Sequence, residues 1–343
     1  MSSTEAPLVT VTGASGFIAL HCIRALLDGG WRVRGTIRSL DKAAGVRAAL
    51  ADVPDLDDRL TLVAAELMHD DGWPEAVEGS TYVLHTASPV LARRPRDPQE
   101  VIAPAQQGTR RVLEASAAAG VRRVVFTSSV AAVLSGRSRG PHVFTEDDWS
   151  DLDGEMPAYS RGKTLAERDA WALVRGLPAG RSMELVTVNP TYVLGPSLSV
   201  GGNASNELVR KLLDREVPGV PRLMLPVVDV RDVAALHVLA MTRPEAAGQR
   251  FIASEGDYWY AEVARMLADS GQRVPTRVVP DWLVRVLGWF DPTVRLVVGE
   301  LGIECHVSSD KARRMLGWTT RPVEETLRDT AADMLARRLT FDV

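Results

Sequence analysis

The chain has 343 residues, enough for a sizeable core in one large domain or two coupled ones. A net charge of −4 gives no electrostatic ground for nucleic acid or an anionic membrane as partner, and no run of about 18 apolar residues suggests a membrane span. The two cysteines, Cys22 and Cys305, lie far apart, which argues against a disulfide scaffold or a cysteine metal site and fits a cytoplasmic protein. The first residues carry neither a basic n-region nor an apolar h-region, so no signal peptide is expected.

Leu8 to Thr12 is a short apolar, β-branched run, read as a buried parallel strand. Gly13-Ala14-Ser15-Gly16 follows, then a helical pattern that stops at Gly29-Gly30. Strand, glycine turn and helix in this order are what a dinucleotide-binding turn requires. Gly13 permits the tight turn, Gly16 lets backbone approach a pyrophosphate, and small Ala19 allows close helix packing. The free N–H groups of the helix start then face phosphate.

Trp31 to Arg38 reads as the second strand. A unit that binds NAD would end it in Asp or Glu, to hold the ribose 2′-hydroxyl. Arg38 stands there instead, with Lys42 close behind, and a guanidinium suits a 2′-phosphate. The pattern therefore predicts NADP(H). Arg59 to Ala65 is the third strand, with Glu66-Leu67 set for the adenine edge. A helix over Trp73 to Glu78 leads into the fourth strand, Tyr82 to Pro89. His85 in this strand is read as a structural histidine, and Pro89 to Pro98 as a loop. A helix is expected over Pro104 to Ala119.

Val121 to Thr127 is the fifth strand and ends in Ser128-Ser129. At the carboxyl end of a parallel strand these hydroxyls face the cofactor crevice and suit a carbonyl oxygen. Downstream, Tyr159 and Lys163 are four residues apart, hence on one helix face. A phenol ordinarily ionises near pH ~10, and an ammonium beside it is expected to lower that value. Such a phenol gives or takes a proton as carbonyl reduction requires. Met183 to Val188 is the sixth strand, and Asn206 to Asp214 a helix. Arg231 and Asp232 are expected to pair, and Trp259, Trp282, Trp289 and Phe290 to be core or pocket lining.

These pieces together resemble an extended short-chain dehydrogenase/reductase, of the branch with yeast-type methylglyoxal and ketone reductases and plant dihydroflavonol reductases. The residues that carry the resemblance are VTGASGFIALH (Val11 to His21), GTIRSLDKA (Gly35 to Ala43), HTASP (His85 to Pro89), QGTRRVLEA (Gln107 to Ala115), VVFTSSVAAV (Val124 to Val133), YSRGKTLAE (Tyr159 to Glu167), VNPTYVLGP (Val188 to Pro196), VVDVRDVAALHV (Val227 to Val238) and KARRMLGW (Lys311 to Trp318). It implies an α/β fold: a Rossmann doubly wound parallel sheet with a smaller C-terminal substrate-binding lobe. The NADP-binding part would be 1–195 plus about 227–254, and the lobe about 196–226 and 255–343.

By similarity, Ser129 is the catalytic serine, Tyr159 the proton donor, and Lys163 the residue that binds the nicotinamide ribose and tunes the tyrosine. The cofactor set it implies is Gly13, Ser15, Gly16, Phe17, Ile18, Arg38, Lys42, Glu66, Leu67, Thr86, Ala87, Ser88, Thr127, Tyr159, Lys163, Pro190 and Val193, with no metal. Glu66 stands where aspartate is usual. Around Tyr159 the N-W-Y-C-Y pattern of cinnamoyl-CoA reductases is missing, which argues against a CoA thioester. The implied activity is NADPH-dependent reduction of an aldehyde or ketone, reversible as alcohol oxidation, by a monomer or homodimer. A nucleotide-sugar epimerase or dehydratase of the same fold and a non-catalytic NADP-sensing regulator are the alternatives.

Overall fold

The computed structural model describes residues 6–88, 97–136, 142–178, 181–199, 203, 205–290 and 292–341. The expected loop at 89–96 and the stretch 200–202 lie outside these residues. Seven parallel strands form the main sheet: β1 (Leu8–Thr12), β2 (Arg32–Ile37), β3 (Leu60–Ala64), β4 (Tyr82–His85), β5 (Arg123–Thr127), β6 (Glu184–Pro190) and β7 (Arg250–Ala253). Their order is β7-β6-β5-β4-β1-β2-β3. It reverses between β1 and β4, so a crevice opens at the carboxyl ends of these strands.

The strands read as apolar runs because both faces are covered. On one face lie α1 (Phe17–Asp28) and a helix over Val230–Thr242, which bury Leu20, Ile23, Val233 and Leu236 against Val9 and Val11. On the other lie α2 (Gln99–Ala118) and α3 (Ala158–Arg175), with Val112, Leu113, Ala166 and Ala170 packed on Val83, Val124 and Leu185. Helix α2 starts at Gln99, before the expected Pro104, which sits inside it. The proline ring already holds a helical φ, but it forfeits one hydrogen bond and crowds the carbonyl of Glu100 one turn earlier. Burial of Ile102 and Ala105 outweighs that loss. Helix α3 crosses α2 closely, since a Cβ on Gly162 would lie 3.3 Å from Ile102 Cα.

A second core gathers Leu194, Val209, Leu212, Leu225, Tyr260 and Leu327. It packs beside a three-stranded sheet of Tyr192–Leu194, Met224–Asp229 and Gly256–Trp259. The C-terminal helix Val323–Phe341 is tied to this sheet by polar contacts. Thr326 Oγ1 donates to Asp229 at 3.0 Å, and Arg231 bonds both Asp229 at 2.7 Å and Asp329 at 2.8 Å. The expected Arg231–Asp232 pair is therefore not made. Adjacent helical residues point apart, and Asp232 pairs with Arg321.

The late aromatics also depart from expectation. Helix Asp281–Phe290 turns Val284 and Gly288 inward, four residues apart. Trp282, Trp289 and Phe290 are left 66%, 74% and 80% exposed.

Packing at the α2–α3 crossing yields a test. Gly162→Leu forces a branched side chain into Ile102 and should destabilise the fold by about 1–3 kcal/mol, read from the urea midpoint. A midpoint equal to that of the unaltered chain would show that the helices are not in contact there.

Candidate active site

The glycine turn is built for close approach. Gly13 has φ +69°, and a Cβ there would lie 3.0 Å from Ala87 Cα. The turn is anchored by Ala14 N–H to Thr36 O at 2.7 Å and by Gly13 N–H to Thr36 Oγ1 at 3.1 Å. Ser15 and Gly16 are exposed on it, with Phe17 and Ile18 half-buried behind. Gly16 caps α1 without a side-chain acceptor, so the first N–H groups of that helix remain open to an anion. Arg38 and Lys42 are exposed beyond the end of β2. An open cradle, an uncapped helix start and exposed cations next to it fit a phosphorylated dinucleotide.

Across the crevice, Leu67, Ala87, Ser88 and Lys163 line one narrow cleft. Thr86 and Ala87 are held by β1: Thr86 Oγ1 donates to Thr12 O at 2.5 Å, and Ala87 N–H to Thr12 Oγ1 at 3.0 Å. Glu66 lies half-buried at the rim, 3.7 Å from His69. His85 is buried between Thr12 and Thr109 and stacked on Phe126. Burial, with the Lys163 charge nearby, pushes its imidazole down to about 3, so it is neutral and structural.

Ser129, Tyr159 and Lys163 come together at this crevice. Ser129 Oγ accepts from Ala131 N–H at 3.2 Å, and the serine lies close enough to the Tyr159 hydroxyl to favour its ionised form. Tyr159 is the second residue of α3, which starts after Pro157. Its ring is 48% exposed to the crevice while protein crowds its hydroxyl. Lys163 is buried and donates to Thr127 O at 3.0 Å. Burial lowers its ammonium to about 8, partly offset by the carboxylate of Glu167.

The expected lowering of the Tyr159 phenol by Lys163 is not found. Burial pushes the Tyr159 phenol above its ordinary value, and Ser129 pulls it back only in part. The lysine bonds a backbone carbonyl instead of the phenol, so the phenol holds its proton. Thr127 turns its hydroxyl to His237 Nε2 at 2.7 Å and offers the crevice only its carbonyl. Pro190 ends β6, and its carbonyl accepts from Val130 N–H at 2.9 Å. Val193 packs its side chain into the main core. Its neighbour Tyr192 stands near Tyr159, Glu300 and Cys305. Burial raises the Glu300 carboxyl and pushes the Cys305 thiol up to about 12. These three escaped sequence reasoning because they come from separate elements with no shared spacing.

The two serines differ in use. Ser128 Oγ donates to Glu167 at 2.6 Å in the interior, whereas Ser129 faces Tyr159. Residues 9–253 match the family model for the NAD dependent epimerase/dehydratase family. The chain belongs to that family. Within it, the protein is an extended short-chain dehydrogenase/reductase of the branch that joins yeast methylglyoxal/ketone reductases and dihydroflavonol reductases. Among curated relatives of this reductase, cinnamoyl-CoA reductase 1 of Petunia hybrida is 33% identical over 338 residues, 97% of this chain and 94% of its own. Cinnamoyl-CoA reductase 1 of Oryza sativa subsp. japonica is 38% identical over 275 residues, 79% and 78% of the two chains. Among solved structures, yeast methylglyoxal/isovaleraldehyde reductase Gre2 complexed with NADPH superposes with TM-score 0.81 at 28% identity, covering 96% of this reductase and 99% of that chain. Gre2 of Candida albicans with NADPH gives TM-score 0.78 at 26% identity, covering 96% and 99%.

The serine pair gives a further test. Ser128→Ala takes a donor from a buried carboxylate and should destabilise the fold by about 1.5–3 kcal/mol in urea unfolding. Ser129→Ala removes no such donor and should leave the midpoint nearly unmoved. Equal midpoint shifts would reverse this division of roles.

Proposed function

We propose that the chain is an NADPH-dependent carbonyl reductase, acting on an aldehyde or ketone and reversible as an alcohol dehydrogenase. The observation that carries this reading is the meeting of Ser129, Tyr159 and Lys163 at the crevice above the glycine turn. The cofactor is NADP(H), held by Gly13, Ser15, Gly16, Phe17 and Ile18 at the pyrophosphate and by Arg38 and Lys42 at the 2′-phosphate. Glu66 and Leu67 take the adenine side. Thr86, Ala87, Ser88, Thr127, Pro190 and Val193 line its path toward the nicotinamide. Residues 1–195 with about 227–254 form the nucleotide-binding part, and about 196–226 with 255–343 the substrate lobe. The protein acts in the cytoplasm as a monomer or homodimer.

When bound, NADPH supplies the hydride that reduces the carbonyl carbon. The Ser129 hydroxyl donates to the carbonyl oxygen and fixes its place beside Tyr159. Tyr159 gives its proton to that oxygen as negative charge develops there. A phenol whose proton is retained at neutral pH is in the form that this direction needs. Lys163 holds the nicotinamide ribose hydroxyls, and its positive charge stabilises the phenolate left behind. Arg38 in place of an acidic residue weighs against an epimerase or dehydratase with resident NAD. Retention of both Tyr159 and Lys163 weighs against a silent regulator. The missing N-W-Y-C-Y pattern favours a free aldehyde or ketone over the CoA thioesters for which several relatives are named.

The test is NADPH oxidation with a panel of aldehydes, ketones, cinnamoyl-CoA and nucleotide sugars. Turnover of aldehydes or ketones is the expected result, and turnover of the other classes alone would overturn the reading. Tyr159→Phe should lower kcat by at least about a hundredfold while NADPH still binds. Neutral replacements of Arg38 and Lys42 should raise KM for NADPH and leave that for NADH nearly unchanged. Lys163 keeps its charge below its value of about 8 and loses it above. Reduction should therefore hold through neutral pH and fall as pH rises past about 8, read from kcat against pH.

A further inference from the structure

We propose that Glu167 is a positioning residue of this site: its buried carboxylate clamps α3 to the ends of β5, β6 and β7 and holds Lys163 at the crevice in its charged form. The role of Lys163 is taken from the reading above; the clamp itself rests on geometry alone.

Glu167 follows Lys163 by one helical turn on α3 and is 0% exposed. A buried carboxylate is costly unless its lone pairs are filled, and here they are. One oxygen accepts from Ser128 Oγ at 2.6 Å and Asn189 Nδ2 at 2.8 Å. The other accepts from Arg250 Nε at 2.7 Å, Thr187 Oγ1 at 3.0 Å and Trp171 Nε1 at 3.4 Å. Ser128 follows β5, Thr187 and Asn189 lie in β6, and Arg250 opens β7. One side chain thus ties the helix of Tyr159 and Lys163 to three adjacent strands.

The network continues into the site. The Asn189 amide that bonds Glu167 also donates to Ser129 O at 3.1 Å. Lys163 bonds the carbonyl of Thr127, which directly precedes Ser128. Arg250 is fixed in turn by the carbonyls of Glu146 at 2.6 Å and Asp148 at 2.7 Å, with Trp149 stacked on it. The charged or titratable groups near Lys163 are Glu167, one turn on along its own helix, and neutral His85 from β4, while Tyr159 lies one turn back on the same helix face. Tyr159 holds its proton, so Glu167 is the one negative charge among the described groups around the ammonium, and Arg250 of β7 faces it. Burial lowers the Lys163 ammonium, and Glu167 opposes that.

A merely structural carboxylate would change stability and leave the lysine's titration alone. The chain has four lysines, Lys42, Lys163, Lys211 and Lys311, so NMR of protein labelled at lysine resolves each, with the Lys163 signal identified by its loss in Lys163→Met. Glu167→Gln keeps the shape and removes the charge. It should lower the Lys163 midpoint by about one pH unit, and the alkaline limb of kcat should follow. Glu167→Asp keeps the charge on a shorter stem and should fall between the two. Asp169→Asn, on the exposed face of α3 beside Gln106, should leave the midpoint where it is.

A folded Glu167→Gln protein with an unmoved Lys163 midpoint overturns the proposal. If that variant does not fold, a Glu167→Asp protein with the midpoint and kcat of the unaltered chain overturns it equally. Failure to reduce any carbonyl would sink the functional reading, while the NMR midpoint still decides the coupling of Glu167 to Lys163.

Discussion

Helix α3 reaches the carboxyl ends of the strands because Gly162 has no side chain to hold it away from Ile102. That contact fixes the spacing of α2 and α3 over the sheet, and much else follows from it. Tyr159 stands on one side of Gly162 and Lys163 directly after it, so the residues flanking the closest approach are those presented to the crevice. A looser crossing would leave the phenol and the ammonium over solvent, where neither meets Ser129 or Thr127. Packing density within one pair of helices is thus converted into placement of polar atoms.

The electrostatics of the crevice reflect the same compactness. Burial disfavours every charge there, and each group responds according to its partners. His85 gives up its proton and becomes a hydrogen-bonded core residue. Tyr159 keeps its own. Lys163 is lowered to about 8, yet remains a cation at neutral pH. A cation beside a neutral phenol is the arrangement that favours proton release toward an oxygen gaining negative charge. The resting state therefore needs no phenolate, and the lysine acts on the product of the proton transfer instead of on the reactant.

Legibility in the sequence divided along the same line as locality. The strands were readable because doubly covered parallel strands must be apolar runs, as in Leu8–Thr12 and Arg123–Thr127. The glycine turn and the tyrosine–lysine spacing were readable because each is written within a few consecutive residues. Glu167 stands inside a legible motif, but nothing local says that its carboxylate meets Asn189 and Arg250, which are distant in sequence. Arg231 and Asp232 misled for the complementary reason. Adjacency suggests a pair, whereas Arg231 bonds Asp229 and Asp329 of the C-terminal helix, and Asp232 bonds Arg321 in the segment before that helix. The start of α2 was missed because tertiary burial of Ile102 overrode the usual meaning of Pro104.

The same argument explains why the substrate is harder to read than the reaction. Proton transfer and cofactor binding use atoms whose order is set by one helix and by neighbouring strand ends, so a few short motifs suffice. Tyr192, from a short strand, stands near Tyr159 and also near Glu300 and Cys305, which come from a turn and from the irregular stretch after it. Each of these can change without disturbing the clamp at Glu167 or the glycine turn, because none of them contributes to either. The surroundings of Tyr192 and the bonds that hold Lys163 are therefore set by separate parts of the fold.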